Sequence, residues 1–443
     1  MKSTGLMMSE RKMIIGLHLS NSYGSHPAAW RAAETDPKSY TNIDALVAYA
    51  QMADRCGLQF IFVPDRPLLD TELTDGPPRF LMEPLVLMTA VARATRRIGI
   101  VPSVSTSLNE PYTIARQLKA LDVISHGRVG WNAIATNDPD AFANYGQQLP
   151  PRQQKYERLH ETIQLVQALW GSWGREAGEP DQQGNFANPA HVQPINLYGQ
   201  HVGSQGPLPI PPSEQGQPVI FQAGGGGAGL QVASRYADVV IGMPMTIEQG
   251  QAYRDTVRTA ALEVGRRSDD IKVVMFVTVS LGSTVRDALD RRLALDQKTD
   301  LSDRLAQLGG LLGLTLTSEQ ADSPLTARQL EDANSTQGDA RSARALNLAR
   351  DGWSVKDILA HGVLEYNPVT VGTPEDVADF LEAWFNAGAT DGFILSVDVL
   401  HDGLPGFVNE VVPILLQRQL FQADHAVTTL RRHLGAQEQY GVR

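Results

Sequence analysis

A single cysteine, Cys56, is all the thiol chemistry in this 443-residue chain. An internal disulfide is therefore excluded, and a reducing cytoplasm is the expected compartment. Long apolar runs are missing as well. The opening MKSTGLMMSERK lacks the core of a signal peptide, and no stretch suits a membrane span. Excess positive charge is also absent. The formal net charge is −11, which argues against nucleic acid or an anionic membrane as the main partner. No group of His, Asp and Glu has metal-ligand spacing. Ser103, Ser105 and Ser107 lie in no nucleophile-elbow context.

What is present is ample core material, with 42% hydrophobic residues. The length suits two or three average domains, or one large α/β barrel with insertions. One stretch, 217–242, organises the rest. Val219-Ile220-Phe221 reads as a buried strand, and four glycines, Gly224 to Gly227, follow it. A helical pattern with Leu230, Val232 and Ala233 inward comes next, then the apolar run Val239-Val240-Ile241. Strand, glycine loop, helix, strand is a βαβ unit. Glycines at the turn let backbone N–H groups approach an anion at a helix N-terminus. Gly224-x-Gly226-x-x-Gly229 fits the dinucleotide pattern, but the ribose acid is absent, since Asp238 precedes the next strand. Gly229-Leu230-Gln231 is not a P-loop ending. A monophosphate fits the turn better.

Around that unit, apolar runs alternate with helical periodicity. Strands are expected at Met13–Leu19, Phe60–Val63, Ile98–Val101, Val129–Ile134, Ile271–Val279 and Gly392–Leu395, which with the glycine unit makes eight. Helices are expected over Ile43–Ala53, Leu85–Ala94, Pro111–Ile124, Tyr156–Trp170, Val377–Phe385 and Phe407–Leu420, the last bent at Pro413. Two long excursions interrupt the cycle. One spans 171–217, with possible short strands at His191-Val192 and Gln200-His201-Val202. The other spans 287–357 and is largely helical. The pattern predicts a single (β/α)8 TIM barrel with two insertions, with an open doubly wound sheet as the alternative.

A barrel carries its site at the C-terminal strand ends. Reading those ends gives His18, Pro64-Asp65, Thr106, Asn132, the glycine loop and Ser396-Asp398, with Trp131, Tyr23, Trp30 and Tyr156 nearby. The lining is polar and nearly neutral, which suits a flat heteroaromatic cofactor better than hydrolysis. His18, His26 and Trp131 are the candidate catalytic groups, although a histidine at a strand end is more often a hydrogen-bonded wall residue.

At these positions the chain resembles a known family. Gly127-Arg128-Val129-Gly130-Trp131-Asn132, preceded by Asn109-Glu110-Pro111-Tyr112 and followed by Asn144-Tyr145-Gly146, is similar to the luciferase-like flavin monooxygenases. The branch contains nitrilotriacetate, dibenzothiophene sulfone and long-chain alkane monooxygenases. His26-Pro-Ala-Ala-Trp30-Arg31, Gln222-Ala223-Gly224, Val371-Gly372-Thr373-Pro374 and Asp402-Gly403-Leu404 extend the match along almost the whole chain. The resemblance implies a luciferase-like barrel that uses reduced FMN and O2, with flavin supplied by a separate NAD(P)H:flavin oxidoreductase. It also implies a homodimer or homotetramer. Pro64, Asp65 and Thr106 would lie along the flavin ring and Asn132 beneath it. Arg152, Tyr156 and the turn Ala223-Gly224-Gly225-Gly226 would hold the phosphate. Two positions depart from the family, which usually has histidine where Arg152 stands and serine where Gly226 stands. Arginine can replace histidine as a bidentate phosphate donor. The alternatives are a deazaflavin-dependent oxidoreductase on the same barrel, or a non-catalytic flavin-binding subunit. The two insertions are the expected cover of the mouth, the second alternatively an oligomer surface.

Overall fold

The strands follow from short apolar runs that end at turn residues. They are β1 (Ile14–His18), β2 (Phe60–Val63), β3 (Gly99–Ser105) and β4 (Gly130–Ile134), then a small hairpin of β5 (Leu197–Tyr198) and β6 (Gly203–Ser204). Further on come β7 (Val219–Ala223), β8 (Val239–Gly242), β9 (Lys272–Leu281), β10 (Val369–Gly372) and β11 (Gly392–Val397). The computed structural model describes residues 11–441 except 70–71, 74–75, 79–81, 179–183, 185, 225, 424–425 and 427. Eight strands pair in parallel in the order β1-β2-β3-β4-β7-β8-β9-β11, and β11 returns to β1 through Ile14↔Gly392 to Leu17↔Leu395. That closure makes a (β/α)8 barrel, as the alternation of patterns predicts, and removes the open-sheet alternative.

Each helix starts and stops for a local reason. Asn42 caps Ile43–Cys56 by accepting from the Asp44 N–H, and Gly57 ends it at φ 87, a left-handed conformation that glycine adopts without steric cost. Pro111 opens Pro111–Ile124 at a position where no N–H is required. The longest, Arg152–Trp170, packs Leu159, Ile163, Val166 and Trp170 inward.

Alternation along the strands separates two cores. Ile15, Leu17, Ile100, Trp131 and Phe393 face outward under the helices. Ile14, Phe60, Phe62, Val101, Phe221 and Ile394 face the barrel axis. Inside, the Phe60 and Phe221 rings meet edge to face at 5.1 Å. A Cβ on Gly16 or Gly130 would strike those rings, so the barrel floor needs glycine there. Leu430, from the short helix Leu430–His433, plugs the base beside Gly99 and Gly130. Arg431 holds the plug in place through Asp238 (3.2 Å) and the carbonyls of Gln217 and Pro218.

Four expectations need correction. A ninth strand joins the sheet: β8 pairs with Lys272–Met275 of β9, and β10 takes over that edge at Thr278–Leu281. Gln200-His201-Val202 is not a strand. The Glu161 carboxylate accepts the N–H groups of all three residues, which makes them the turn between β5 and β6. His191 closes a 3₁₀ turn, and Val192 makes only an isolated bridge to Trp173. The closing helix is irregular upstream of Pro413. A π-type turn, Phe407–Val411, accommodates a ring that crowds the preceding carbonyls and brings no N–H.

The second excursion has its own apolar cluster around Leu305, Leu308, Leu312, Leu346 and Ile358. Among the described residues no helix is long and apolar enough to cross a membrane.

Candidate active site

Above the aromatic floor, the axis-facing positions turn polar. His18, Ser103, Asn132, Thr278 and Ser396 follow Gly16, Val101, Gly130, Phe276 and Ile394 two residues along their strands. His18 Nδ1 lies 3.0 Å from Ser396 Oγ, and its ring meets Phe276 edge-on at 5.6 Å. Burial pushes its pKa down to about 4, so the imidazole is neutral at physiological pH. Asn132 donates from Nδ2 to Ser103 Oγ at 2.7 Å. Its buried Oδ1 has no partner among the described residues. An unsatisfied acceptor in a barrel wall invites a ligand N–H.

The glycine turn forms the second part of the site. Gly224 (φ 127) and Gly227 (φ 55) need glycine for their backbone shape. Gly226 needs it for neither shape nor packing: its φ is ordinary and a Cβ there would meet open space. A bare backbone facing open space is what close approach by an anion requires. Gly225 lies outside the described residues. The helix Ala228–Tyr236 begins at this turn, with the Tyr156 ring and hydroxyl against Gly229. The Arg152 guanidinium stands 5.6 Å and the Lys155 ammonium 5.7 Å from the centre of that ring. Lys155 is buried, donates to Asn137 Oδ1 at 2.5 Å, and has its pKa lowered by burial and by Arg152. Two cations that disfavour one another beside bare N–H groups suit a dianionic phosphate. The sequence reading missed Lys155, because a lysine on an amphipathic helix ordinarily belongs to the solvated face.

The other candidates fall in different places. Pro64 and Asp65 follow β2 at the mouth, half-buried. Thr106 is fully buried, and its hydroxyl is already donated to the Ile134 carbonyl at 3.0 Å. His26 is not at the barrel axis. Its Nε2 lies 2.9 Å from Asp296, tying the N-terminal loop to the second insertion. Trp131 points outward, where its Nε1 donates to the Val104 carbonyl and its ring meets Trp170 edge-on at 6.0 Å. Neighbours on one strand cannot share a face, and with Asn132 inward Trp131 must be core. The mouth placement expected for Trp131 is therefore corrected, whereas His26 stands at the rim, where its N–H donates to the Asp398 carbonyl just past β11 and its ring is engaged by Asp296.

Asp65 carries a pKa raised to about 6, first by burial and then by Glu83. Charging it thus costs more in the folded chain than in the unfolded one. That penalty is absent below the ordinary value of 3.8, grows as pH rises, and is complete above about 6. Asp65→Asn should therefore unfold at a higher temperature than the parent at neutral pH. The gap should narrow as pH falls from about 6 toward 4. Thermal melts across that range check it, and a constant gap would remove Asp65 from the account.

With this geometry in hand, comparison with known proteins is informative. The luciferase-like monooxygenase family matches residues 24–391. Nitrilotriacetate monooxygenase component A of Aminobacter aminovorans is 31% identical, with 97% of each chain covered. Dibenzothiophene-sulfone monooxygenase of Rhodococcus erythropolis is 30% identical over 97% of this chain and 98% of its own. EDTA monooxygenase from Chelativorans sp. BNC1 superposes with a TM-score of 0.83 at 30% identity, covering 97% of this chain and 100% of that one. A barrel of this topology, matched end to end by flavin-family oxygenases, leaves one assignment: the chain belongs to the luciferase-like monooxygenase family.

Proposed function

We propose that this chain is the oxygenating component of a two-component system. It takes reduced FMN from a separate NAD(P)H:flavin oxidoreductase, uses O2, and oxygenates a small organic molecule. The observation that carries the reading is the glycine turn, where Gly226 has no structural need to be glycine and the helix that follows sets Gly229 against Tyr156, whose ring has Arg152 and Lys155 beside it. Reduced FMN, when bound, supplies the electrons that activate O2. The chain's own residues bind and enclose. The glycine turn, Lys155, Arg152 and Tyr156 hold the phosphate, and Asn132 Oδ1 accepts from a ring N–H. His18 keeps the wall beneath uncharged. With Nδ1 engaged by Ser396, the proton His18 can exchange is at Nε2. The segments around 171–217 and 287–357 exclude water from the mouth, and the assembly is a homodimer or homotetramer.

The substrates in the relatives' names include a tricarboxylate and a neutral sulfone, so membership alone leaves the substrate's charge open.

No βαβ unit carries a dinucleotide fingerprint with its ribose acid, the glycine unit included. With NADH, FMN and O2, the purified chain should leave the NADH absorbance unchanged. Adding a general flavin reductase and an accepted substrate should yield product labelled from ¹⁸O2. Rapid NADH oxidation by the chain alone would refute the two-component reading. Unlabelled, reduced product formed without O2 would identify a hydride-transferring enzyme instead.

A further inference from the structure

We propose that the substrate enters the barrel mouth as an uncharged molecule, a neutral sulfide, sulfone or hydrocarbon rather than a polycarboxylate. The inference rests on the flavin-site reading above and narrows its substrate class.

The arginines that ring the mouth are already held. Just past β2, Arg66 gives two N–H groups to Asp138, at 3.1 and 2.7 Å. Past β11, Arg291 reaches Asp398 at 3.1 and 3.2 Å and Asp402 at 2.5 Å. Past β8, Arg341 clasps Asp339 at 3.1 and 2.7 Å and lies 4.3 Å over the Tyr366 ring. Among the described residues these three guanidiniums thus face four carboxylates. Arg31 stacks on Trp30 and exchanges hydrogen bonds with Lys298, each donating to the other's carbonyl. That pair locks the N-terminal loop to the second insertion. Arg152 and Lys155 stand apart, at the glycine turn, where the flavin phosphate takes them.

Asp65 points the same way. It makes no ion pair among the described residues, and Glu83 adds a like charge beside it. A polycarboxylate arriving here would shed water without gaining a guanidinium, unless it displaced an aspartate and stranded that charge instead. An apolar group meets a better surface. Met243 and Tyr366, both exposed, line the cleft past β8 together with Met245 and the Arg341 stem. Thioether and aromatic faces accept neutral groups of varied shape.

Matched pairs of substrates test this. Thioethers and sulfones bearing a free carboxylate are compared with their methyl esters, with a flavin reductase supplying reduced FMN and oxygenated product read by mass spectrometry. The esters should show kcat/KM at least about tenfold above the acids, the scale of a like-charge penalty. Acids turned over as well as their esters would overturn the proposal. Where neither is turned over, the fluorescence of bound oxidised FMN decides. Quenching by iodide relative to acrylamide should be weaker than for free FMN. A ratio equal to or above that of free FMN overturns the proposal. Asp138→Asn keeps the adjacent helix capped and takes one negative charge from the mouth beside Arg66, so it should raise the iodide ratio. The same titration shows whether FMN binds at all. No binding would sink the flavin-site reading, and this inference with it, and is distinct from an unexpected quenching ratio.

Discussion

A Gly226→Val enzyme should fold normally and bind FMN more weakly by about 1–3 kcal/mol, the scale of a few lost phosphate hydrogen bonds. Normal folding is expected because the valine side chain enters open space from an ordinary backbone conformation. Weak binding is expected because that space is where the phosphate approaches the N–H groups. The comparison ligand is riboflavin, which has the ring but no phosphate. Its affinity should barely change, so the loss should be specific to FMN. Arg152→Ala should show the same signature through the other side of the phosphate, and the double variant should lose more than either alone. Fluorescence titration of both ligands against both variants measures all of this. Equal losses for FMN and riboflavin would move the phosphate elsewhere and leave Arg152 as a solvent-facing partner of Tyr156.

Trp131→Ala should destabilise the fold by about 3–5 kcal/mol, the usual cost of emptying a large buried aromatic site. The indole is fully buried, fills the space between β4 and the helix Arg152–Trp170, and satisfies the Val104 carbonyl. Truncation leaves a cavity and an unpaired acceptor together. Trp131→Phe should recover much of that stability and oxygenate substrate at nearly the parent rate, because the ring never meets the mouth. Denaturant melts and turnover measured on the same two variants separate the roles. A folded Trp131→Phe enzyme with turnover lowered a hundredfold would return Trp131 to the chemistry.

These two positions show what the sequence carries and what it hides. The barrel was readable because each wall strand is a short apolar run between turn residues. β10 was not, because Val369–Gly372 is four residues long, lies between Pro368 and Pro374, and gains strand form only from the exposed upper edge of β9. The strand ends were readable as a list. Their facing follows from a period of two, and Trp131 and Asn132 cannot both look inward. The same period, applied from Gly16, Val101 and Ile394, brings His18, Ser103 and Ser396 to one level. The burial of Lys155 was hidden because it depends on Asn137, eighteen residues earlier, reaching its ammonium. The turn at 200–202 was hidden because its three N–H groups are captured by a carboxylate about forty positions back.

Barrel closure also has a timetable. β1 finds β2 soon after synthesis begins, but its other edge waits for β11, whose Ser396 stands 378 positions after His18. The base waits longer, until Leu430 and Arg431 leave the ribosome. Until β11 emerges, β1 and β9 each expose an unpaired apolar edge, the arrangement that invites strand pairing between neighbouring chains. Folding is thus governed by contacts of very long range and should be slow. A nonsense codon a few residues before Leu430 would spare every residue of the proposed flavin site and both edge pairings of β11, yet leave the barrel base unplugged, so the loss should fall on stability before it falls on flavin contacts.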